Sequence, residues 1–545
     1  LELIEVEYDA LPAVTDTARA LAADAPVIWP ERGSNLCVLW TNGREAETDA
    51  AFANAHMIVS LDFVQNRVAG NPMEPRVALG AWDAERERYE LTSPTQGVIR
   101  VREGLAKHIF KVPLDRVRVV SPDVGGGFGL RGKLFPESAM VLWAARKLGR
   151  PVKWRADRTE TILSDPHGRD HVTRAEMAFD AAGKALGLRV RTVAAMGAHL
   201  LDFGPRIPTV AGARIAGTVY DLQAVNMEVR CAFTNTVPTD AYRGAGRPEI
   251  AYTIERLLDL GAAKLGLTRD EIRRRNYVPP ERMPYTNCVG NVLDSGDFAG
   301  TQAIALRLAD WEGFPTRRAE SASRGKLRGI GLGYFIEASG GQPQEWARMV
   351  VTSEGKVRLH VGTFSHGQGH ETAFAQIVHQ RLGIPFEDVE LVQGDTDLVE
   401  QGFGTGGSRS SQMGGVATSM ASEAVLAKAK RIAAQEGIDL SAVKGSGPNG
   451  RIVKADLANA PATTPAHAEP VEASSQTSAS TSAPATPPKP AQLGGDLDAP
   501  YEAQKLNNVR KVIARRMAES KQTVPHFYLT VDYEIDALLE ARKAI

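Results

Sequence analysis

Hydrophobic and polar residues alternate along several short stretches of the chain, and this alternation predicts half-buried strands. The clearest are LELIEVEY (residues 1–8), VRVV (117–120) and GLRVRTVAAM (187–196). Between the predicted strands, apolar residues recur at helical spacing over residues 137–148 and 250–265. Ile254, Leu257, Leu258 and Ala262 form one face of the second of these helices. We therefore expect a mixed α/β fold over about residues 1–290.

A second α/β block begins near Gly329 with GIGLGYFIEASGG, and VRLHVGTF and a helical pattern over 371–382 follow. A further helix is predicted over 421–434. Its expected buried face consists of Val425, Ala429, Ile432 and Ala433.

The most unusual stretch of the chain is SPDVGGGFGLRGK, residues 121–133, which follows a predicted strand and precedes a helix expected near Pro136. Glycine is used where the backbone takes positive φ or approaches another group closely. A loop of this kind between a strand and a helix can direct backbone N–H groups at an anion or a cofactor.

The same stretch also satisfies the dinucleotide pattern G-x-G-x-x-G at Gly127, Gly129 and Gly132, with Asp157 as the acidic residue. However, Pro122 and the gap before the helix fit poorly with a strand that turns at once into a helix. An unrelated nucleotide-binding enzyme stays as an alternative.

Other unusual loops are NRVAGNPMEPR (66–76), SPTQG (93–97), AYRGAGRPE (241–249), SHGQGHET (365–372) and GFGTGGSRSSQMGG (402–415). In the third of these, Arg243 and Arg247 flank a GAG turn, where they could bind an anion or simply be solvated. Glycines lie between His366 and His370 and disfavour a zinc-binding helix. We interpret that stretch as a loop that caps the next helix and directs Gln368 at a ligand.

Charge and cysteine content exclude several classes of function. Lys and Arg number 64 against 65 Asp and Glu, so the balance of charge does not indicate nucleic-acid binding. Cys37, Cys231 and Cys288 are too scattered for a disulfide framework or an iron–sulfur ligand set, and they fit a reducing cytoplasm. No apolar run approaches the length of a membrane span. The strand pattern is already under way at the first residue, so we expect the N-terminus to have been cut from a longer protein.

Five motifs (PTQG, DVGGGFG, AYRGAGRPE, SHGQGHET and GTGGSRSS) occur in the order and rough spacing found in one family. Over about residues 1–430 the chain resembles the large, molybdopterin-binding subunit of the xanthine dehydrogenase and aerobic carbon monoxide dehydrogenase family, truncated at both ends. The resemblance implies a remnant of the N-terminal hammerhead domain at 1–32 and a first molybdopterin-binding domain at 33–300. It also implies the start of a second such domain at 301–430, and mixed α/β (α+β) folds for both.

The resemblance implies a molybdopterin cofactor carrying molybdenum, expected as the cytosine dinucleotide. Gln96 would hydrogen-bond an oxygen ligand of the metal, and Arg243 would be the active-site arginine. The residues expected to hold the cofactor are Gly126, Gly127, Phe128, Gly129, Gly367, Gln368, Gly369, Gly406, Gly407, Ser408 and Arg409. The pterin supplies the direct metal ligands, so we expect none from protein side chains. Iron–sulfur clusters and flavin would reside in partner subunits and not in this chain.

The family reaction is hydroxylation of an aldehyde or an aromatic N-heterocycle, and this chain departs from two of the family's variants. Copper–molybdenum carbon monoxide dehydrogenases carry a cysteine in the AYR loop, where this chain has Gly244. Purine-oxidising members carry a glutamate shortly after GGGFG, and none aligns cleanly in LRGKLFPE. We therefore expect an aldehyde or an N-heterocycle as substrate, and no oxidation of carbon monoxide.

The C-terminal part resembles a different family, the dihydrolipoyl acyltransferases of 2-oxo acid dehydrogenase complexes. Residues 431–460, with KGSGPNGR, are similar to the small all-α peripheral subunit-binding domain. The resemblance implies docking to dihydrolipoyl dehydrogenase through Lys444, Arg451 and Lys454. Residues 461–500 are rich in Ala, Pro, Ser and Thr and predict a disordered linker. Residues 501–545 resemble the start of the α/β acyltransferase catalytic domain.

The chain lacks the catalytic motifs of both families that it resembles, so whether it is an enzyme is left open. The hydroxylase base usually lies in a Gly-Glu motif and the acyltransferase histidine in H-x-x-x-D-G, yet no Gly-Glu or Asp-Gly dipeptide occurs in the 545 residues. The Asp-Lys lipoyl attachment motif is absent as well. We expect two joined fragments that are catalytically incomplete. The alternative is a genuine fusion that acts as a binding module docked to a 2-oxo acid dehydrogenase complex.

Overall fold

The computed structural model describes residues 9–337 and 344–436, together with residues 7, 339, 438, 440 and 443–445. The described residues fall into two compact units, of which the larger contains residues up to 307 and from 331 onwards. The smaller unit contributes residues 308–330, where the guanidinium of Arg317 pairs with Asp310. LELIEVEY, Arg451, Lys454, the linker and the acyltransferase-like segment lie outside the described residues, except for Glu7 within LELIEVEY.

The strands of the described chain are β1 Leu36–Gly43, β2 Met57–Gln65, β3 Val68–Ala69, β4 Val77–Asp83, β5 Arg88–Thr92, β6 Val117–Val120, β7 Val152–Arg155, β8 His167–Gly168, β9 His171–Phe179, β10 Ala185–Ala195, β11 Ala224–Ala232, β12 Tyr285–Thr286, β13 Val292–Leu293, β14 Ala347–Val351, β15 Val357–Val361 and β16 Val389–Val392. The α-helices are α1 Glu45–Ala53, α2 Val98–Glu103, α3 Pro136–Leu148, α4 Arg158–Ser164, α5 Arg247–Leu265, α6 Arg269–Asn276, α7 Phe298–Leu308, α8 Phe314–Ser323, α9 His370–Leu382 and α10 Gly415–Gln435.

The largest sheet has five strands in the order β1-β11-β10-β9-β2, antiparallel except for the parallel pair of β10 and β11. Its alternating apolar residues pack against the buried face of α5. Ile254, Leu257, Leu258 and Ala262 on that face are each at most 1% exposed. The helical face predicted from apolar spacing is therefore confirmed.

A second sheet has four strands in the order β6-β5-β4-β7 and carries α3 on one face. Gly80 in β4 allows this helix to approach closely, because a Cβ atom there would lie 2.6 Å from the main-chain carbon of Val141. The helix begins at Pro136, as predicted, and its own Val141 and Leu142 are buried.

A third sheet of three strands, β14-β15-β16, supports α9 and α10. The helix predicted over 421–434 begins earlier, at Gly415, and its predicted face is wrong in part, since Ile432 is 46% exposed. The residues that α10 buries are mostly small: Gly415, Thr418, Ser422 and Ala433. Thr418 and Ser422 donate to main-chain carbonyl groups one turn earlier, which allows these polar side chains to be buried.

The four-stranded and three-stranded sheets are joined along β6 by the segment 394–396. Ser121 donates its N–H to the Gly394 carbonyl oxygen at 2.7 Å, and Thr396 donates to that of Val119 at 3.1 Å. Arg118 forms an ion pair with Asp395, with 2.7 Å between Nη2 and Oδ2. The two predicted cofactor-binding domains therefore meet through main-chain hydrogen bonds as well as side chains. No helix within the described ranges is long and apolar enough to span a bilayer.

Candidate functional site

Gln96 connects two of the glycine-rich loops at the junction of these sheets. Its Oε1 accepts N–H groups from Gly129 at 2.8 Å and Arg131 at 3.1 Å, and its Nε2 donates to the Thr405 carbonyl oxygen at 2.9 Å. The side chain is 5% exposed. An amide NH₂ group carries two donors, and the contact with Thr405 uses one of them.

The glycine-rich loop takes left-handed backbone conformations at Gly126 (φ +104°), Phe128 (φ +53°) and Gly129 (φ +100°). A Cβ atom at Gly129 would lie 2.4 Å from the Ala241 carbonyl oxygen, and one at Gly127 would lie 2.8 Å from the Gln96 amide carbon. The glycines are thus required by backbone conformation and by close packing against two neighbouring loops. Phe128 is 43% exposed at the tip of the loop.

The glycine-rich loop is held from the other side by Glu74, in the stretch 66–76. Its carboxylate accepts the Gly125 N–H at 2.9 Å, and the Glu74 carbonyl oxygen accepts a hydrogen bond from the Arg131 guanidinium. Arg131 is 1% exposed, and burial lowers its pKa despite the nearby carboxylates of Asp165 and Glu74. Neither Glu74 nor Arg131 was among the predicted site residues, although the unusual composition of 66–76 marked that stretch.

The loop that carries Arg243 lies directly against the glycine-rich loop. The Arg243 N–H donates to the Phe128 carbonyl oxygen at 2.8 Å. Arg169 donates to the carbonyl oxygens of Tyr242 at 3.1 Å and Arg243 at 2.7 Å. The Arg243 side chain is exposed and pairs with no described residue, so the loop presents an unpaired guanidinium to solvent.

The predicted loop over residues 365–370 caps α9, as the interpretation of its glycines required. Gly369 (φ +71°) is the N-cap residue, and the Gln368 side chain accepts the His366 N–H. His366 Nε2 lies 3.1 Å from the Thr95 carbonyl oxygen, which places this loop beside SPTQG. Burial lowers the pKa of His366 to about 4, so the ring is neutral and donates from Nε2.

His370 is the first residue of α9 and is 4% exposed. Burial lowers its pKa, although Gln393 and Glu371 partly oppose that effect. Neither ring nitrogen has a partner with full hydrogen-bond geometry among the described residues. Within the described ranges no three His, Cys, Asp or Glu side chains cluster as metal ligands, and His366 and His370 belong to no such group.

The loop over 402–409 approaches from the third sheet. A Cβ atom at Gly404 would lie 1.9 Å from the Gln96 carbonyl oxygen, and the Thr405 N–H donates to that oxygen at 2.8 Å. Gly406, Gly407 and Ser408 are exposed. Gly407 and Ser408 also have positive φ, at +64° and +57°.

Arg409 supports this loop from within and does not face solvent. Its Nη1 lies 2.5 Å from the Glu345 carboxylate, and the two side chains are 4% and 1% exposed. A predicted contact between Arg409 and the cofactor would therefore act through the backbone of the loop. Glu337, which no sequence pattern marked, accepts from Ser408 at 3.3 Å and pairs with Arg247 at 3.2 Å, and so links this loop to the Arg243 loop.

The structure thus brings Gln96, the glycine-rich loop, the Arg243 loop and the 402–409 loop together, with 365–370 beside SPTQG. Phe128, Gly367, Gly407 and Ser408 are exposed residues with positive φ, and Arg243 adds an unpaired guanidinium, which suits an anionic ligand with many oxygen acceptors. These features fit a pterin phosphate or pyrophosphate cofactor. Asp157, in contrast, caps α4 in a reciprocal capping box with Glu160, so its carboxylate serves the helix and not a ribose.

Comparison with known families agrees with this architecture. Residues 28–277 and 304–492 each match a molybdopterin cofactor-binding domain, and residues 498–545 match the catalytic domain of 2-oxoacid dehydrogenase acyltransferases. The second match extends across 431–460, where the sequence predicts a subunit-binding domain. Lys444, the one of its three proposed docking residues that the structure describes, is exposed.

Similar proteins include the carbon monoxide dehydrogenase large chain of Hydrogenophaga pseudoflava, with 36% identity over 80% of this chain and 57% of the relative. The 6-hydroxypseudooxynicotine dehydrogenase complex subunit gamma of Paenarthrobacter nicotinovorans is 33% identical over 80% of this chain and 54% of the relative. The chain spans little more than half the length of these relatives.

Among solved structures, quinoline 2-oxidoreductase from Pseudomonas putida 86 superposes with a TM-score of 0.74 at 34% identity, over 78% of this chain and 55% of that one. The Cu,Mo carbon monoxide dehydrogenase gives a TM-score of 0.74 at 29% identity, over 81% and 60%. The chain belongs to the molybdopterin-binding large subunits of the carbon monoxide dehydrogenase and xanthine dehydrogenase family, and its residues 498–545 are similar to the catalytic domain of 2-oxoacid dehydrogenase acyltransferases.

Proposed function

We propose that residues 33–430 bind a molybdopterin cofactor, as its cytosine dinucleotide, for the hydroxylation of an aldehyde or an aromatic N-heterocycle. The observation that carries the proposal is the position of Gln96, buried between the glycine-rich loop and the 402–409 loop, with the backbone of Arg243 hydrogen-bonded to Phe128. When bound, the cofactor supplies the redox chemistry, and the protein binds and orients it.

Each loop has a distinct part in this proposal. Gln96 directs its remaining amide N–H at the reactive end of the cofactor. The main chain at 126–129 and at 367–369 holds the pterin and its phosphate oxygens, and 406–408 holds the dinucleotide end. Arg243 supplies the one unpaired cation of the four loops within the described residues and would stabilise negative charge on the substrate.

The geometry at residue 244 favours an organic substrate over carbon monoxide. Gly244 has φ +94°, and a Cβ atom there would lie 2.3 Å from Cγ of Pro248. A cysteine side chain, which a copper–molybdenum site would require, does not fit this backbone. Relatives named for hydroxylation or dehydrogenation of nicotine and its derivatives, at 32–33% identity, support an N-heterocycle.

The proposed electron acceptors are iron–sulfur and flavin subunits in other chains, and the proposed location is the cytoplasm. Because a Gly-Glu base is absent from the sequence, we propose that this chain binds the cofactor but does not turn over substrate by itself. The match of 498–545 to an acyltransferase domain favours a second role, docking to dihydrolipoyl dehydrogenase through residues 431–460, with Lys444, Arg451 and Lys454 as contacts.

Cofactor content tests the main proposal. The chain is produced in a host that makes molybdenum cofactor, and molybdenum, released pterin and released nucleotide are measured for each polypeptide. We expect molybdenum, pterin and cytidine monophosphate in equal amounts, and a loss of all three in Gln96→Ala. Purified wild-type chain without molybdenum or pterin would contradict the proposal.

A binding measurement with purified dihydrolipoyl dehydrogenase tests the second role separately. Weak binding to the wild-type chain is expected to disappear in the triple variant K444A/R451A/K454A. Binding that is the same in both proteins would reject these residues as the contacts.

A further inference from the structure

We propose that Lys133 and Asp240 form a buried positioning pair, which fixes the 240–246 loop, and with it Arg243, against the glycine-rich loop. The functional role of this positioning rests on the proposed function, because Arg243 has a role only if a ligand binds beside it. The positioning itself is a property of this chain with or without cofactor. Neither Lys133 nor Asp240 was among the predicted site residues.

The ion pair joins the bases of the two loops. Lys133 Nζ lies 2.5 Å from Asp240 Oδ2, and the residues are 7% and 2% exposed. Lys133 follows the last residue of the GGGFG motif by four positions, and Asp240 precedes Arg243 by three. A link at these two points restricts how far the loops can separate.

Asp240 also organises the chain around it. Its Oδ1 accepts the Ala241 N–H, and its Oδ2 accepts the Phe203 N–H at 3.3 Å. The Asp240 N–H donates to the His167 carbonyl oxygen at 2.8 Å. Lys133 Nζ in turn lies 4.7 Å from the centre of the Phe203 ring, a cation–π contact. The Asp240 carboxylate therefore fixes the backbone of Ala241, the next residue of the loop, and the backbone of Phe203.

The contacts further along the loop depend on the position of this base. The Arg243 N–H reaches the Phe128 carbonyl oxygen at 2.8 Å, and Gly129 packs directly against the Ala241 carbonyl oxygen. Both require the two backbones to lie in van der Waals contact. Lys133 and Asp240 form no hydrogen bond or ion pair with the exposed Arg243 side chain, so they act on it through the backbone.

Burial determines how the pair must be tested. Removal of one partner leaves the other charge buried and unpaired, which destabilises the whole fold whatever the pair does for the loop. Replacing both with neutral side chains of similar size removes the link without leaving a buried charge. The double variant Lys133→Met with Asp240→Asn therefore separates positioning from general stability.

Hydrogen–deuterium exchange on the purified 545-residue chain measures how readily the amides of the loop open. In the double variant we expect exchange of the amides over 241–246 to rise about tenfold or more, with unchanged exchange in β9 and β10. The melting temperature should stay within about 3 °C of wild type. The matched control is Lys147→Met, since Lys147 is an exposed lysine on α3, and wild-type exchange is expected in that variant.

Wild-type exchange over 241–246 in the double variant would overturn the proposal. If the double variant does not fold, Lys133→Arg, which keeps the charge, is measured instead, and faster exchange over 241–246 than in wild type would overturn it. Molybdenum per chain, measured in parallel, should fall to less than about half of wild type in the double variant. Unchanged molybdenum would overturn the link to the ligand. Wild-type chain without molybdenum would reject the proposed function, while the exchange result still decides the pair.

Discussion

Gly129 shows how one residue can determine the geometry of the site. It has a positive φ, its N–H donates to Gln96, and its Cα faces the Ala241 carbonyl oxygen without room for a side chain. Gly132, three residues later, does not have a positive φ. It also has room for a side chain, because a Cβ atom there would meet only the flexible end of Arg100 at 3.6 Å. The two glycines therefore form a matched pair for mutation.

We expect Gly129→Ala to destabilise the chain by about 2–4 kcal/mol, because it combines backbone strain with a clash against main-chain atoms. Gly132→Ala should change stability by less than about 1 kcal/mol. Chemical denaturation of both variants measures the difference. Equal stability of the two variants would show that the 240–246 loop moves aside at no cost.

At the residue scale, the sequence marks residues that belong to a strong motif. It does not mark the residues that hydrogen-bond to the motif loops. Gln96 and Gly126–Gly129 belong to recognisable motifs, and the structure places them together. Glu74 and Glu337 contact the same loops, but an isolated glutamate carries no pattern that separates it from a solvated one. Arg409 belonged to a motif, yet its burial against Glu345 depends on a tertiary contact that spacing does not reveal.

At the scale of a single element, the start of α9 shows how backbone conformation places two nearby side chains in different environments. Gly367 and Gly369 break the helical spacing, so the two histidines of the loop occupy different environments. The neutral, half-buried His366 ring donates to the Thr95 carbonyl oxygen and thereby connects the element to SPTQG. Protonation would place a charge in this partly desolvated position.

Acid should therefore destabilise the chain partly through His366. The folded-state pKa is lowered from 6.5 to about 4, so between those values the unfolded chain binds more protons than the folded one. The stability contributed by this residue is complete above pH 6.5 and decreases as the pH falls towards 4. One pKa unit corresponds to about 1.4 kcal/mol, which bounds the effect at about 3 kcal/mol.

Melting temperatures of wild type and His366→Gln between pH 7 and pH 4.5 measure this contribution. The variant should lose less stability on acidification than wild type does. His108→Gln, at an exposed position in the π-helical segment Gly104–Phe110 that follows α2, is the control and should follow the wild-type curve. Parallel curves for all three proteins would mean that other groups account for the acid sensitivity.

Elements were predicted well where one periodic face is buried and poorly where it is not. The apolar face of α5 packs on a sheet, and periodicity located it. In α10 the buried side chains include the polar Thr418 and Ser422, while Ile432 is 46% exposed. Apolar periodicity cannot identify a face of that composition, because hydroxyl groups that bond to their own helix do not register as hydrophobic.

Over the whole larger unit, the two cofactor-binding domains are held together by a small ionic network. Arg118 contacts Asp395 at 2.7 Å and Asp397 at 3.4 Å, while Arg88 contacts Asp397 at 2.5 Å. Asp395 is the most buried of these carboxylates and raises the pKa of Arg118 through its hydrogen bond.

Asp395→Ala should destabilise the chain by about 1–3 kcal/mol, the usual contribution of a hydrogen bond to a charged group. Urea denaturation in low and high salt measures it, and the loss should be smaller in high salt. Asp388→Ala removes an exposed pair with Lys356, with 3.6 Å between the charged atoms, and is the control. An effect no larger than that of the control would leave the main-chain hydrogen bonds as the principal connection.

The 545 residues match molybdopterin-binding domains and, over 498–545, an acyltransferase domain, and they lack the Gly-Glu and H-x-x-x-D-G motifs expected for catalysis. We expect no aldehyde-dependent dye reduction and no acetyl transfer above background from the purified chain, since general-base catalysis typically contributes 10²–10⁴-fold. Its visible spectrum should also lack iron–sulfur and flavin bands. Robust turnover in either assay would reveal a catalytic group other than the two whose motifs are missing.

The hydrogen bonds between β6 and residues 394–396 have a consequence for any attempt to divide the protein. β6 is the last strand of its sheet, and N–H and C=O groups on its outer side are satisfied by Gly394 and Thr396, which follow it by about 275 positions. A fragment that ends near residue 300 would expose those groups on the apolar strand Val117–Val120. Such an open edge is a template for pairing between molecules, so the isolated first domain should self-associate unless a substitute for 394–396 is supplied.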